Sequence, residues 1–433
     1  MHSIPFLSMF LHKYDHRRIT WRWQSSPPDI DREFGLGNDP LAFERIFKMH
    51  YECFQYIVNW LVGENNPTLN RSTPFQRWYK SKRHSSVAVD TVVACGVLYL
   101  FGRGTEMEDA SLLGVELSTF HMHAERVVEE LYRRCSEVIC FPPKEEQVCM
   151  KSNITEEPFP GALFAMDGTL CMLPARGSHN EFVGRKSLPQ INVLVVCDWN
   201  MNLVHVDSNF TGRTQDNDMY MSSALHFCID GENSLLRPGG FIIADEGFAC
   251  REHILRPYDK RSNDPRRILY NCIFKSTRLL VENAIGAWKA KCPLLDIGMH
   301  KKDPKDLAKV ILASAVLYQM WKMTNEKIMK HDTKTYSNKA KYIPQEFIGK
   351  RGVNLRDTVR DFLCDCNQEA LEILQSYGPD EITRLQSLHV CCNKGSITSH
   401  FDHTTIWGVT WHWYNGKGIL TIWLYLLLTL WQP

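Results

Sequence analysis

The feature that most constrains this chain is a set of four acidic residues within residues 161–295, each placed where one element of structure gives way to the next. Asp167 closes the apolar run Ala162-Leu163-Phe164-Ala165-Met166 and opens the turn Asp167-Gly168-Thr169. Asp216 comes after the strand-like Leu203-Val204-His205-Val206 and the turn Thr211-Gly212-Arg213. Asp245 ends Phe241-Ile242-Ile243-Ala244, and Glu282 lies in a stretch, residues 278–286, that reads as helix. A carboxylate at the end of a buried strand points out of the core while its backbone stays rigid, which is how a fold fixes hard oxygen ligands for Mg²⁺ or Mn²⁺. Each position alone is ambiguous, because Asp-Gly is a common turn signal and an acid at a strand end is often only a cap. The order strand-Asp, strand-strand-Asp, strand-Asp, helix-Glu, with spacings of 49, 29 and 37 residues, is more specific and supplies enough carboxylates for two ions.

Around these acids lie Ala165-Met166-Asp167-Gly168-Thr169, Asn192-Val193-Leu194-Val195-Val196-Cys197-Asp198 and Gly212-Arg213-Thr214-Gln215-Asp216. Further on come Leu236-Arg237-Pro238-Gly239-Gly240-Phe241, the run that continues to Phe248, Arg256-Pro257-Tyr258 and Val281-Glu282-Asn283-Ala284-Ile285-Gly286. In content and order this segment resembles the DDE-superfamily nuclease domain of PIF/Harbinger transposases and the host nucleases derived from them. The resemblance implies an α/β fold, a ribonuclease-H-like mixed sheet with flanking helices, preceded by an all-α helix-turn-helix region. It implies a divalent-metal-dependent DNA endonuclease that hydrolyses phosphodiester bonds by two-metal-ion catalysis, with Mg²⁺ or Mn²⁺ as cofactor. Asp167, Asp216, Asp245 and Glu282 would be both the catalytic residues and the metal ligands. Asp167 would be shared by both ions, Asp216 or Asp245 would complete one site, and Glu282 the other. DNA is the implied partner, together with a separate Myb-like DNA-binding protein as in related elements, and the nucleus is the implied location.

Four positions depart from the family's usual pattern. Leu170 stands where a His follows Asp-Gly-Thr, Gln215 where a His precedes the second Asp, Leu194 where the second strand has Gln, and Leu317-Tyr318-Gln319 where Leu-His-Asn is usual. The carboxylates persist and their polar neighbours do not, so a non-catalytic DNA-binding relative is the alternative expectation. A phosphohydrolase for small phosphoesters would share the metal chemistry but leave the basic stretches unexplained.

The chain divides into an irregular segment 1–40, a helical region 41–150, the nuclease-like domain 161–330 and a C-terminal extension 331–433. In the helical region Ile46, Met49, Phe54, Ile57, Val58 and Leu61 recur mainly at three- and four-residue steps, the pattern of an amphipathic helix. Residues 89–99, 105–113 and 118–132 read as further helices, the last two joined by Gly114-Val115-Glu116-Leu117. This is the helix-turn-helix pattern, whose second helix enters a major groove; it would present Thr119, His121, Met122, His123 and Arg126, although a plain helical hairpin has the same periodicity. A net charge of +1 offers no global attraction to nucleic acid, so contacts would come from local patches. Residues 71–84 carry five basic residues with Phe75, Trp78 and Tyr79, a composition that suits a nucleic-acid backbone or a solvated linker. Residues 256–278 hold seven basic and two acidic residues, a net +5. Arg126, Arg266, Arg267 and Arg278 are the candidate DNA contacts, though Arg278, four residues before Glu282, also suits an intrahelical ion pair.

Fifteen cysteines without a paired framework suggest reduced thiols, and the opening Met1-His2-Ser3-Ile4-Pro5 lacks the features of a secretory signal. Cys364, Cys366, Cys391, Cys392, His400 and His403 have no zinc-finger spacing. Residues 419–431 are 13 apolar or Thr residues. As a helix they would reach about 20 Å, against a hydrocarbon core of about 30 Å, so no stable membrane association is expected. A strand or helix docked on the core, or a tail foreign to the domain, suits them better.

Overall fold

The computed structural model describes residues 40–63, 74–80, 87–148, 159–173, 182–184, 188–230, 234–297, 304–329, 343–378, 412–414 and 417–419. The segment 1–39, parts of the basic stretch at 71–73 and 81–84, Cys391, Cys392, His400, His403 and residues 420–431 lie outside them. The described residues fall into two compact units, one drawn from residues 40–99 with 104–127 and the other from residues 100–103 with the described residues after 127.

The first unit is helical. Helix α1 (Pro40–Phe47) and α2 (Tyr51–Val62) meet through an aromatic cluster in which Phe43 stacks on Phe47 at 4.5 Å and Phe54 closes on both at 5.4 and 5.6 Å. Cys53, Phe54, Ile57, Val58 and Leu61 form the buried stripe of α2, and Gly63 ends it in the left-handed region (φ 91°), its N–H bonded to the Asn59 carbonyl. After α3 (Pro74–Tyr79) comes α4 (Val89–Phe101), which has no charge beyond Asp90 and is buried on nearly every side, as a helix apolar all round must be. A side chain at Gly96 would overlap Val127, so the glycine permits the close approach. Helix α5 (Glu106–Leu112) starts in a capping box made by Thr105 and Glu108, and α6 (Leu117–Arg133) follows.

Two residues expected on the outer face of α6 turn inward. His123 is 1% exposed and edge-on to Trp78 at 5.8 Å, because it falls on the stripe of Phe120, Ala124 and Val127 at helical spacing. Arg126 donates to the Pro74 carbonyl at 3.1 Å and lies over the Trp78 ring at 5.5 Å. His121 pairs with Glu106 at 3.3 Å, and Met122 is exposed.

The second unit is built on β1 (Ala162–Met172), β2 (Gln190–Cys197), β3 (Leu203–Thr211), β4 (Phe241–Ala244) and β5 (Ile254–Leu255). Their order in the sheet is β3-β2-β1-β4-β5, with β1, β2 and β3 antiparallel and β1, β4 and β5 parallel. This five-stranded mixed sheet with helices is compatible with the ribonuclease-H-like fold. Helices α7 (Asp216–Ser222) and α8 (Ala224–Asp230) bury Met219, Tyr220, Leu225 and Ile229 with Phe164, Met166, Leu194, Val196, Ile242 and Ala244 of the sheet. Helix α9 (Pro265–Lys291) opens on the cap Asp264, whose side chain takes the Arg266 N–H at 3.0 Å, with Pro265 at its first position. Its 27 residues run past β1, and Trp288 donates to Ser314 of α11 (Pro304–Met329) at 3.2 Å. The short α10 (Leu294–Ile297) lies between them, and α12 (Gly352–Cys366) and α13 (Gln368–Ser376) pack on α9. In the extension, β6 (His412–Tyr414) pairs antiparallel with β7 (Lys417–Ile419). Among the described residues every cysteine is a free thiol, and no helix is long and apolar enough to cross a membrane.

Candidate metal centre

Strand register brings the first and third acids together. Met166 of β1 pairs in parallel with Ala244 of β4, so the next residues along, Asp167 and Asp245, stand side by side on neighbouring strands. From α9, Arg278 and Glu282 face this pair one turn apart. Arg278 Nη1 donates to Asp167 Oδ2 at 2.9 Å while its Nη2 forms an ion pair with Glu282 Oε1. The other oxygen of Asp167 takes the Gly168 N–H at 2.9 Å, and Asp245 takes the N–H of Glu246. The Arg278 and Asp167 side chains are 15% and 16% exposed.

Burial pushes the Asp167 carboxyl up to about 7; Arg278 pulls against it, and Asp245 and Glu282 push the same way as burial. Burial works against the charge of Arg278, yet Asp167, Asp245 and Glu282 together hold its pKa above the ordinary arginine range. Asp167 and Glu282 therefore share one guanidinium, with the charge of Asp245 close by.

Asp216 comes to this region from elsewhere. It heads α7, and its Oδ1 lies 2.9 Å from where a Cβ at Gly168 would stand, with Oδ2 closer still to the same point at Gly247. Gly168 alternates with Asp167 along β1, so Asp216 approaches the strand from the opposite face. Asn192 sets its position by donating to the Thr214 carbonyl at 3.0 Å. Asn217 accepts from Ala249 N–H at 3.3 Å and Arg251 at 3.2 Å, tying α7 to the loop that follows Asp245. Neither asparagine is singled out by motif. The signal was a polar side chain, Asn192, inside the otherwise apolar run of β2, where burial at 7% exposure requires a partner.

Carboxylate oxygens are the hard donors that Mg²⁺ and Mn²⁺ take, so the donor set of Asp167, Asp216, Asp245 and Glu282 fits such ions chemically. Among the described residues, no three His, Cys, Asp or Glu side chains are grouped to hold an ion as they stand. Between Asp167 and Glu282 the bridging group is Arg278.

The departures noted in sequence have structural employment. The half-buried Leu170 offers its carbonyl to Lys289 at 2.7 Å, and Gln215 is the exposed residue before α7. Gln319 accepts the Leu203 N–H at 2.9 Å and donates to Asn202 at 3.1 Å, where Lys322 also donates at 2.8 Å. Asp198 takes the N–H groups of Asn200 and Asn202 at 2.8 Å each and the Asn202 amide at 2.9 Å. This network fastens α11 to the β2–β3 turn.

The basic stretch 256–278 is less free than its net charge suggests, because acids from elsewhere in the chain answer it. Arg256 clamps the loop after β4 through the Glu246 and Phe248 carbonyls, both at 3.2 Å, and Lys260 pairs with Glu246 at 2.7 Å. Arg266 pairs with Asp361 and Arg267 with Asp264, each at 3.4 Å, yet these two remain 54% and 45% exposed. Arg278 faces the carboxylates, not solvent.

Residues 166–319, which include all four acids, match the family described as DDE superfamily endonuclease. The chain is similar to the protein named "Putative nuclease HARBI1" of Xenopus laevis, 21% identical over 271 residues that cover 61% of this chain and 74% of the relative. The protein of that name from Homo sapiens is 25% identical over 272 residues, covering 62% and 74%. "Protein ALP1-like" of Arabidopsis thaliana is 20% identical over 358 residues, covering 78% and 85%. No solved structure matches the chain.

Proposed function

We propose, for a chain whose residues 166–319 belong with the DDE superfamily endonucleases, a divalent-metal-dependent DNA endonuclease of the transposase type. The observation that carries this reading is the pairing of Asp167 and Glu282, from a strand and a helix, with one half-buried guanidinium, with Asp245 beside Asp167 by strand register. Asp167 would be the ligand common to two ions. Asp245, beside it by register, would complete one site and Glu282 the other, with Asp216 supporting from the far side of β1. Bound there, Mg²⁺ or Mn²⁺ would polarise the scissile phosphate, activate water for in-line attack and stabilise the departing 3′ oxygen. The chain's own part is placement. The pairing of β1 and β4 fixes the spacing of the two aspartates, and Gly168 N–H holds one oxygen of Asp167 while the other points to α9.

In this reading Arg266 and Arg267, half exposed near the start of α9, neutralise DNA phosphates. The helices of residues 89–133 add a helix-turn-helix contact through Thr119 and Met122. A nuclear site of action and a separate Myb-like partner accompany it. A DNA-binding relative without turnover is favoured by Leu170 and Gln215 in place of histidines. One assay separates the two: purified full chain is incubated with supercoiled DNA and Mn²⁺. An endonuclease yields nicked and linear DNA, and Asp167→Asn yields none. Wild-type protein that retards DNA without cutting it would establish the second reading.

A further inference from the structure

One cation is already lodged among the carboxylates proposed to hold metal. An ordinary pair four residues apart on a helix is solvated and contributes little. Arg278 differs on two counts: it is 15% exposed, and it reaches Asp167, 111 residues away, as well as Glu282. The planar fork of a guanidinium can bridge carboxylates from two elements in this way, where a lysine would serve one at a time. The lone pairs it occupies, on Asp167 Oδ2 and Glu282 Oε1, are also those a divalent ion would need. A divalent ion entering there competes with the guanidinium for these oxygens, and the like charges of the two cations repel one another.

We infer that Arg278 is a built-in counter-ion of the carboxylate centre, bridging Asp167 and Glu282 in the metal-free protein and displaced from both when a divalent ion enters. The inference rests on those carboxylates being the metal site, as proposed above. Arg278 then does two things. It keeps the metal-free centre assembled by offsetting the mutual repulsion of Asp167, Asp245 and Glu282, and it makes the centre bind divalent ions more weakly than the carboxylates alone would.

The test is isothermal titration of Mn²⁺ into the full chain, wild type against Arg278→Gln, with melting curves for each at zero and millimolar Mn²⁺. The expected result is that Arg278→Gln binds Mn²⁺ about tenfold more tightly or better, a difference of about 1.4 kcal/mol. It should also melt lower than wild type without metal and show the larger rise with it. A role limited to fastening α9 to β1 would lower both melting curves alike and leave Mn²⁺ affinity unchanged. That outcome, with wild type binding Mn²⁺, overturns the counter-ion and leaves the nuclease reading standing. If neither protein binds Mn²⁺, the metal reading falls and the inference with it. Should Arg278→Gln not fold, Arg278→Met keeps the long stem without the charge. Tighter Mn²⁺ binding than wild type then supports the inference, and equal or weaker binding overturns it.

Discussion

Two aspartates, one just past β2 and one on the adjacent β1, make the sharpest contrast in the molecule. Asp198, just past β2, is 6% exposed, and its carboxylate is held by two backbone N–H groups and the Asn202 amide, with Lys322 nearby. Burial raises its pKa, and those hydrogen bonds restrain the rise. Asp167 on β1, 16% exposed, has one backbone N–H and the tip of one long side chain, Arg278. An acid answered by the chain immediately around it is part of the fold, since nothing can replace those partners. An acid answered by a long side chain can exchange that partner for another cation, and this leaves it open to chemistry.

Substitutions sharpen the contrast. The largest effect is expected for Asp198→Ala, which strips a buried network of its acceptor and Lys322 of its negative neighbour. Chemical denaturation should show a loss of about 3–5 kcal/mol, with Mn²⁺ affinity of the folded fraction unchanged. Gln319→Leu removes the acceptor of the Leu203 N–H from the same network and should cost about 1–3 kcal/mol, again without effect on Mn²⁺. At the basic surface, Arg266→Ala with Arg267→Ala should leave stability within about 1 kcal/mol. DNA binding should weaken uniformly across sequences, and its log-log salt slope should flatten by about 0.9 for each phosphate that is no longer neutralised; an unchanged slope would remove this face from the interface. Gly247→Ala should alter stability least, within about 1 kcal/mol, because the atom its methyl meets is the movable end of Asp216. Weakened Mn²⁺ binding in that variant would place Asp216 in the centre, and unaltered binding would leave Asp245 as the second aspartate.

Four strands of the sheet were legible because their apolar runs are bounded by turns and acids, and the two-residue β5 was not. The order of four strands and then the helix that carries Glu282 followed from that punctuation. The pairing that sets Asp167 beside Asp245 was not, since register between parallel strands arises from packing across the chain and leaves no local mark. Arg278 showed why local reading falls short: its neighbour at four residues was visible, and its partner 111 residues away was not. The burial of His123 was available in principle, for it shares the helical stripe of Phe120 and Val127. Gln319, an amide within an apolar helix, carried the same kind of signal as Asn192. Each is a polar group that burial obliges to find a partner.

The most direct test of the central claim is the melting temperature of the full chain and of Asp167→Asn, with and without millimolar Mn²⁺. Without metal, the raised pKa of Asp167 fixes the sign of the pH dependence. Its folded value of about 7 lies above the ordinary value of about 3.9, so the stability linked to its proton is full below about pH 4 and lost as pH rises towards 7. Asp167→Asn should lack that decline and, near pH 7, melt at or slightly above wild type. Adding Mn²⁺ should raise the melting temperature of wild type and leave Asp167→Asn unmoved, because an ion that binds only the folded protein stabilises it in proportion to its affinity. Wild-type protein that melts identically with and without Mn²⁺, or an Asp167→Asn variant that gains as much as wild type, would contradict a metal centre at these carboxylates.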